Sequence, residues 1–143
     1  MMRKILIIQS RFYPDISDEI FKGAKLILRK KKIKFDSVSV PGSLEIPSAL
    51  NFSIHRSRYD GYIVLGCIIR GKTSHYDLVC QESIRGIMDL VSKHKLPLGF
   101  GIITAENKKQ ALERASIKKG NKGGQAAETC LQMIRIRNSF FGK

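Results

Sequence analysis

Residues 70 to 77 read RGKTSHYD, directly after the apolar run YIVLGCII at 62 to 69. Cations, a glycine, two hydroxyls and a histidine crowd together where a buried strand should end and a helix begin. Each type suits one task. Free backbone N–H groups at a helix start favour an anion. Gly71 lets the backbone come close to it, Arg70 and Lys72 add charge, and Thr73 and Ser74 add hydroxyl donors. Ser74 can also cap the helix, with Asp77 three residues on approximating a capping box. His75 then falls in the first turn beside the anion, where an imidazole can take up a proton and pass it on near neutral pH. An ordinary capped turn carrying a surface histidine fits the same spacing. A Walker loop does not, because GxxxxGK followed by Ser or Thr is absent.

Three other stretches carry groups able to meet a ligand. PGSLEIP (41–47) places Glu45 just past a strand, either as a helix-dipole partner or as an acceptor for substrate hydroxyls. SRFYPD (10–15) puts Phe12 after the first strand, as a core side chain or as a stacking platform. KKGNKGGQ (118–125) reads as a flexible solvated loop or a further anion contact. His55 and His94 lie near predicted helix ends in polar surroundings, and no two histidines have metal-ligand spacing, so no metal is expected. Cys67, Cys80 and Cys130 are odd in number and form no CxxC, which argues against a disulfide framework and a zinc site.

The elements that must position these groups follow from hydrophobic periodicity. KILIIQ (4–9) is a short apolar run suited to a buried strand. Ile16, Ile20, Ala24, Ile27 and Leu28 recur at helical spacing, with Lys30 to Lys32 at the helix C-terminus. FDSVSV (35–40) alternates like a strand that Pro41-Gly42 stops. A helix over 44–55 tolerates Pro47 only in its first turn. After the third strand, the helix over 74–94 shows the apolar stripe Cys80, Ile84, Ile87, Met88 and Val91. A fourth strand (96–104) and helices over 106–115 and 123–136 complete the chain. Strands alternating with helices imply a parallel sheet covered on both faces, with ligands beyond the carboxyl ends of the strands.

At 143 residues the chain is expected to form one domain, 1–143, with a proper core. Its longest uncharged apolar stretch, Tyr62 to Ile69, is far short of the roughly 20 residues that cross a bilayer. The start MMRKILIIQSR loses its apolar run too early for a signal peptide, so the expectation is cytoplasmic, with no membrane partner. Lys and Arg number 26 against 12 Asp and Glu, a net charge of +14 that attracts phosphate in any form. Aromatics do not interleave with the cations as a single-strand platform requires, so nucleic acid is not the expected partner.

Taken together, these segments resemble the lumazine synthase (6,7-dimethyl-8-ribityllumazine synthase) family of riboflavin biosynthesis. SRFYPDISDEIFKGA, VPGSLEIP, GCIIRGKTSHYDLVCQE, LPLGFGIITAENKKQALERA and KGNKGGQAAE look like its signature blocks, in order and at matching spacing. The resemblance implies a flavodoxin-like three-layer α/β/α sandwich with a four-stranded parallel sheet. It also implies a condensation of 5-amino-6-(D-ribitylamino)uracil with 3,4-dihydroxy-2-butanone 4-phosphate, with no cofactor and no metal.

By matching position, the resemblance implies that Phe12 stacks on the pyrimidine. Ser43, Leu44 and Glu45 line the ribityl site, and Cys67, Ile68 and Ile69 bind the uracil edge through backbone groups. Lys72, Thr73 and Arg114 hold the butanone phosphate, and His75 transfers protons. Phe100 closes over the ring, and Lys122 adds charge nearby. Two positions depart from the family pattern: Gln125 stands for a carboxylate, which puts an ion pair with Lys122 in doubt, and Tyr13 stands for an asparagine. The resemblance further implies a homopentamer whose active sites lie between subunits. It leaves open a sixty-subunit shell and contact with riboflavin synthase. Two other readings are a flavodoxin-like module binding nucleotide or flavin without catalysis, which gives no reason for His75 and Glu45, and a basic RNA-binding protein.

Overall fold

The computed structural model describes residues 4–56, 58–72 and 74–142. Its strands are β1 (Ile5–Ser10), β2 (Phe35–Val40), β3 (Gly61–Ile69) and β4 (Leu98–Ala105). Its helices are α1 (Pro14–Lys30), α2 (Ile46–Ile54), α3 (His75–His94), α4 (Lys108–Ala115) and α5 (Lys122–Phe141), with a 3-10 turn, Ser43–Glu45, leading into α2. All pairings are parallel, in the order β2-β1-β3-β4. The expected α/β sandwich with four parallel strands is therefore the observed one.

The side-chain alternation of the strands sorts the core into two layers. Ile5, Ile7, Ile63, Leu65 and Ile103 meet α1, α4 and α5, whereas Leu6, Ile8, Val64 and Ile102 meet α2 and α3. Both faces of β1 and β3 are covered, which is why their sequences read as unbroken apolar runs. Among the described residues no helix is long and apolar enough to cross a membrane.

Several boundaries and faces differ from the sequence reading. Helix α5 runs to Phe141, five residues beyond the expected end. Its last buried apolar residue is Ile134, and the backbone continues in helix until Gly142 turns left-handed at φ 75. Helix α4 begins at Lys108 because the Asn107 side chain caps it, accepting from the Gln110 N–H at 2.8 Å. Along α3 the buried line is Val79, Ser83 and Ile87, and Met88 from the expected stripe is exposed. Spacing gave the period of that helix, and the exact angle at which it docks was set by α2 and the sheet.

The glycine-rich 118–125 segment is not a flexible solvated loop, because α5 already begins at Lys122 and its glycines are packed. A Cβ on Gly123 would lie 1.9 Å from the Ile20 carbonyl oxygen, and one on Gly120 would lie 2.7 Å from the Arg114 backbone. Its glycines serve close backbone packing of α5 against α1 and of the loop against α4. Gly99 on β4 does the same between α5 and the sheet, since a Cβ there would sit 1.8 Å from the Ala126 carbonyl oxygen. Gly99→Ala is expected to cost about 3 kcal/mol by overpacking, read as a fall in Tm of roughly 10 °C. An unchanged melting curve would mean that α5 does not lie this close to β4.

Candidate active site

The sheet order reverses direction between β1 and β3, and in open α/β sheets this switch point is where ligands bind. A cavity of about 230 Å³ opens there, at the carboxyl ends of both strands. The turn after β1 supplies Phe12 and Tyr13, and the turn after β2 supplies Gly42 to Glu45. The end of β3 supplies Cys67 to Ile69 and Gly71, and the first turns of α3 supply His75, Tyr76 and Val79. Three stretches far apart in the chain, around residues 12–13, 42–45 and 67–79, thus share one wall.

The register explains why β3 can serve a ligand. It pairs with β1 only as far as Leu65, whereas its pairing with β4 continues to Ile69. Beyond Leu65 one edge of β3 therefore carries no ladder partner among the described residues. Cys67, Ile68 and Ile69 all line the cavity, and strand N–H and C=O groups without a ladder partner are strong hydrogen-bonding partners for a planar amide-like ring. Cys67 itself is chemically quiet. Burial pushes its thiol up to about 12, so near neutral pH it holds its proton and offers no thiolate. Burial, and secondly Cys67, raise the Tyr13 phenol above its ordinary value, so it too remains protonated.

Phe12 is 67% exposed, with its ring edge-on to Tyr13 at a centroid distance of 5.1 Å. A large aromatic at a cavity rim with that exposure is not a core side chain. Glu45 is exposed at the start of α2, and its backbone N–H donates to the Gly42 carbonyl at 3.1 Å, which keeps the 42–45 turn tight. Ser43 is buried and Leu44 is half-exposed at the rim.

The start of α3 is built differently from the capped turn that the sequence suggested. Ser74 has φ −73 and ψ 0, and its side chain makes no cap hydrogen bond, so the expected capping box does not form. The reason is local: Ser74 is already in the helical region, where its Oγ is not aimed at the next N–H groups. Arg70 is engaged by a carboxylate of its own chain. Its Nε donates to both Glu106 carboxylate oxygens, at 3.0 and 3.1 Å, and hydrogen bonding to that carboxylate is the main cause that raises its pKa. Lys72 is exposed in the turn but does not line the cavity. Thr73 lies outside the described residues.

Eight of the expected site residues meet at this cavity: Phe12, Ser43, Leu44, Glu45, Cys67, Ile68, Ile69 and His75. Besides Lys72, three others do not. Phe100 lies midway along β4, partly buried against the α2–α3 core. Arg114, on α4, donates from Nη1 to the Thr104 carbonyl at 2.5 Å, at the β4 edge of the sheet. Lys122 starts α5 and does not line the cavity. Gln125 uses its amide as a carboxylate could not, donating from Nε2 to the Gly120 carbonyl at 2.9 Å and closing the α4–α5 loop. Sequence reading missed Tyr76 and Val79 as lining residues. Their signal was helical geometry, since positions 75, 76 and 79 share one side of α3. Among the described residues, no three His, Cys, Asp or Glu side chains gather as a metal site requires.

Comparison with known proteins gives a consistent picture. The model of the 6,7-dimethyl-8-ribityllumazine synthase family matches residues 2–138. The 6,7-dimethyl-8-ribityllumazine synthase of Bartonella tribocorum is 47% identical over an alignment covering 97% of this chain and 95% of that protein. The protein of the same name from Bartonella bacilliformis is 46% identical, covering 95% of this chain and 91% of its own length.

Proposed function

This chain belongs to the 6,7-dimethyl-8-ribityllumazine synthase family, and from that premise we propose how its cavity works. The enzyme is a transferase of riboflavin biosynthesis. It condenses 5-amino-6-(D-ribitylamino)uracil with 3,4-dihydroxy-2-butanone 4-phosphate to 6,7-dimethyl-8-ribityllumazine, releasing phosphate and water. The 5-amino group attacks the ketone and, with loss of water, forms an imine. Phosphate then departs, the ring closes on the ribityl-bearing nitrogen, and a second water is lost.

In our reading the observation that carries the site is the free edge of β3 beyond Leu65, flanked by an exposed Phe12 and by His75. The uracil lies along that edge, bonded to backbone groups of Cys67, Ile68 and Ile69, with Phe12 stacked on its face. The ribityl chain runs past Ser43 and Leu44 to Glu45, whose carboxylate accepts from its hydroxyls. The butanone phosphate sits beside Gly71 and Lys72, with Thr73 as the expected hydroxyl donor. His75, beside it, moves protons at the carbonyl oxygen and at the amine. Much of the acceleration comes from holding two reactants in contact, an effect worth several kcal/mol.

The rest of the site comes from a second copy. A cavity of about 230 Å³ falls below the roughly 300–1,000 Å³ usual for one drug-sized ligand, and two substrates must fit. Phe100, Arg114 and Lys122 lie away from the cavity of their own chain, so a head-to-tail ring would bring them to the neighbour's. Exposed apolar side chains on the α2–α3 layer, Leu44, Phe52, Leu78 and Met88, suit burial in such a ring. We take the ring to be a pentamer of one-domain, cytoplasmic subunits.

The direct test is to supply purified protein with both substrates and to follow lumazine fluorescence together with phosphate release. Equimolar product and phosphate, dependent on both substrates, are expected. Tight binding of a flavin or nucleotide without turnover would overturn the reading in favour of a binding module.

A further inference from the structure

Arg70 is the first residue after β3, and its contacts reach three separate elements. Its backbone N–H donates to the Ala105 carbonyl at the end of β4, at 2.9 Å. Its Nε is shared between the two oxygens of Glu106, in the turn between β4 and α4, at 3.0 and 3.1 Å. Its Nη2 lies 3.6 Å from Asp77 Oδ1, and its guanidinium carbon lies 4.3 Å from the centre of the Tyr76 ring, both in the first turn of α3. Glu106 is held in turn, since its backbone N–H donates to Gln110 Oε1 at 2.8 Å.

Two carboxylates face this one guanidinium, so the cluster presents no net positive charge to an anion. What it does is geometric. It grips the chain immediately before Gly71 and immediately after His75, and ties both points to the end of β4. The stretch between needs such a grip. Gly71, Lys72, Ser74 and His75 are all exposed, and a Cβ on Gly71 would meet nothing within 4 Å. The expected Ser74 cap, which would have stiffened the start of α3, does not form.

We propose that Arg70 is a positioning residue: with Glu106, Asp77 and Tyr76 it braces the chain next to Gly71 and next to His75, setting where Lys72 and His75 stand relative to the butanone phosphate without touching it. The proposal rests on the reading of that stretch as the phosphate site. An exposed ion-pair cluster contributes little to global stability. Misplacing a substrate-positioning group, by contrast, is costly for binding and rate.

Glu106→Ala separates a brace from simple electrostatics, because the two predict opposite signs. Removing a carboxylate near an anionic substrate should tighten its binding if charge alone matters. If Glu106 anchors the brace, the KM for butanone phosphate should rise about tenfold. Arg70→Gln should match it, the double variant should be little worse than either single one, and the KM for ribitylaminouracil should stay within about twofold. Melting temperatures should hardly move. An unchanged or lower KM for the phosphate substrate in Glu106→Ala overturns the brace, as does full additivity in the double variant. If the unsubstituted protein makes no lumazine, the functional reading has failed instead. Binding of inorganic phosphate to the same variants, followed by phosphorus NMR titration, then decides on the brace alone: weaker binding in both variants supports it, and unchanged or tighter binding in Glu106→Ala refutes it.

Discussion

His75→Ala is expected to lower kcat by about a hundredfold while leaving both Michaelis constants and the melting curve close to those of the parent. The histidine is exposed at the first position of α3 and lines the cavity, so its loss opens no core void. Its proposed work is proton transfer during imine formation and phosphate departure, steps felt in kcat and not in the binding of either ground state. His75→Gln, which keeps a polar side chain but cannot shuttle a proton at neutral pH, should be nearly as slow. Full turnover in either variant, with saturation unchanged, would remove His75 from the mechanism.

Arg114→Ala is expected to raise the KM for butanone phosphate on the order of 10- to 100-fold, the range for a lost hydrogen bond to a charged group, with a much smaller effect on ribitylaminouracil. A guanidinium suits a phosphate because its fork can bind two oxygens at once. Among the described residues Arg114 bonds its own chain only at the Thr104 carbonyl, on the β4 side of the sheet, and it does not line the cavity between β1 and β3. It would then serve a neighbour's phosphate, and that has a sharper consequence. When the Arg114→Ala and His75→Ala proteins are unfolded, mixed and refolded together, about a quarter of the interfaces should join an intact His75 side to an intact Arg114 side. Activity should rise well above the sum of the two separately refolded variants. Mixed rings that demonstrably contain both chains yet regain nothing would refute a site shared between subunits.

The period of each element, and with it the layered α/β architecture, was legible in the chain before any coordinates. Apolar runs covered on both faces, such as KILIIQ and YIVLGCII, can only be interior strands of a parallel sheet, and alternation with helices dictates their crossovers. Of the eight expected residues at the cavity, Phe12, Glu45 and His75 follow from the same logic, because a residue just past a parallel strand must lie at the sheet's carboxyl edge. Ser43, Leu44, Cys67, Ile68 and Ile69 came from the family resemblance alone. Three properties were decided only in three dimensions. The open edge of β3 depends on the β1–β3 pairing stopping at Leu65, four residues before β3 ends, a relation between strands that neither sequence segment contains. The partners of Arg70 depend on where the turn after β4 lies, 36 residues away along the chain, so local spacing read it as a phosphate cation when tertiary contact makes it an ion-pair partner. The glycines of KGNKGG looked like a loop because glycine is permissive in sequence terms, but helix α1 passing within van der Waals reach of Gly123 is what demands the missing side chain. Period and chemistry are local properties of a chain. Register, docking angle and the choice of ionic partner belong to the packed whole.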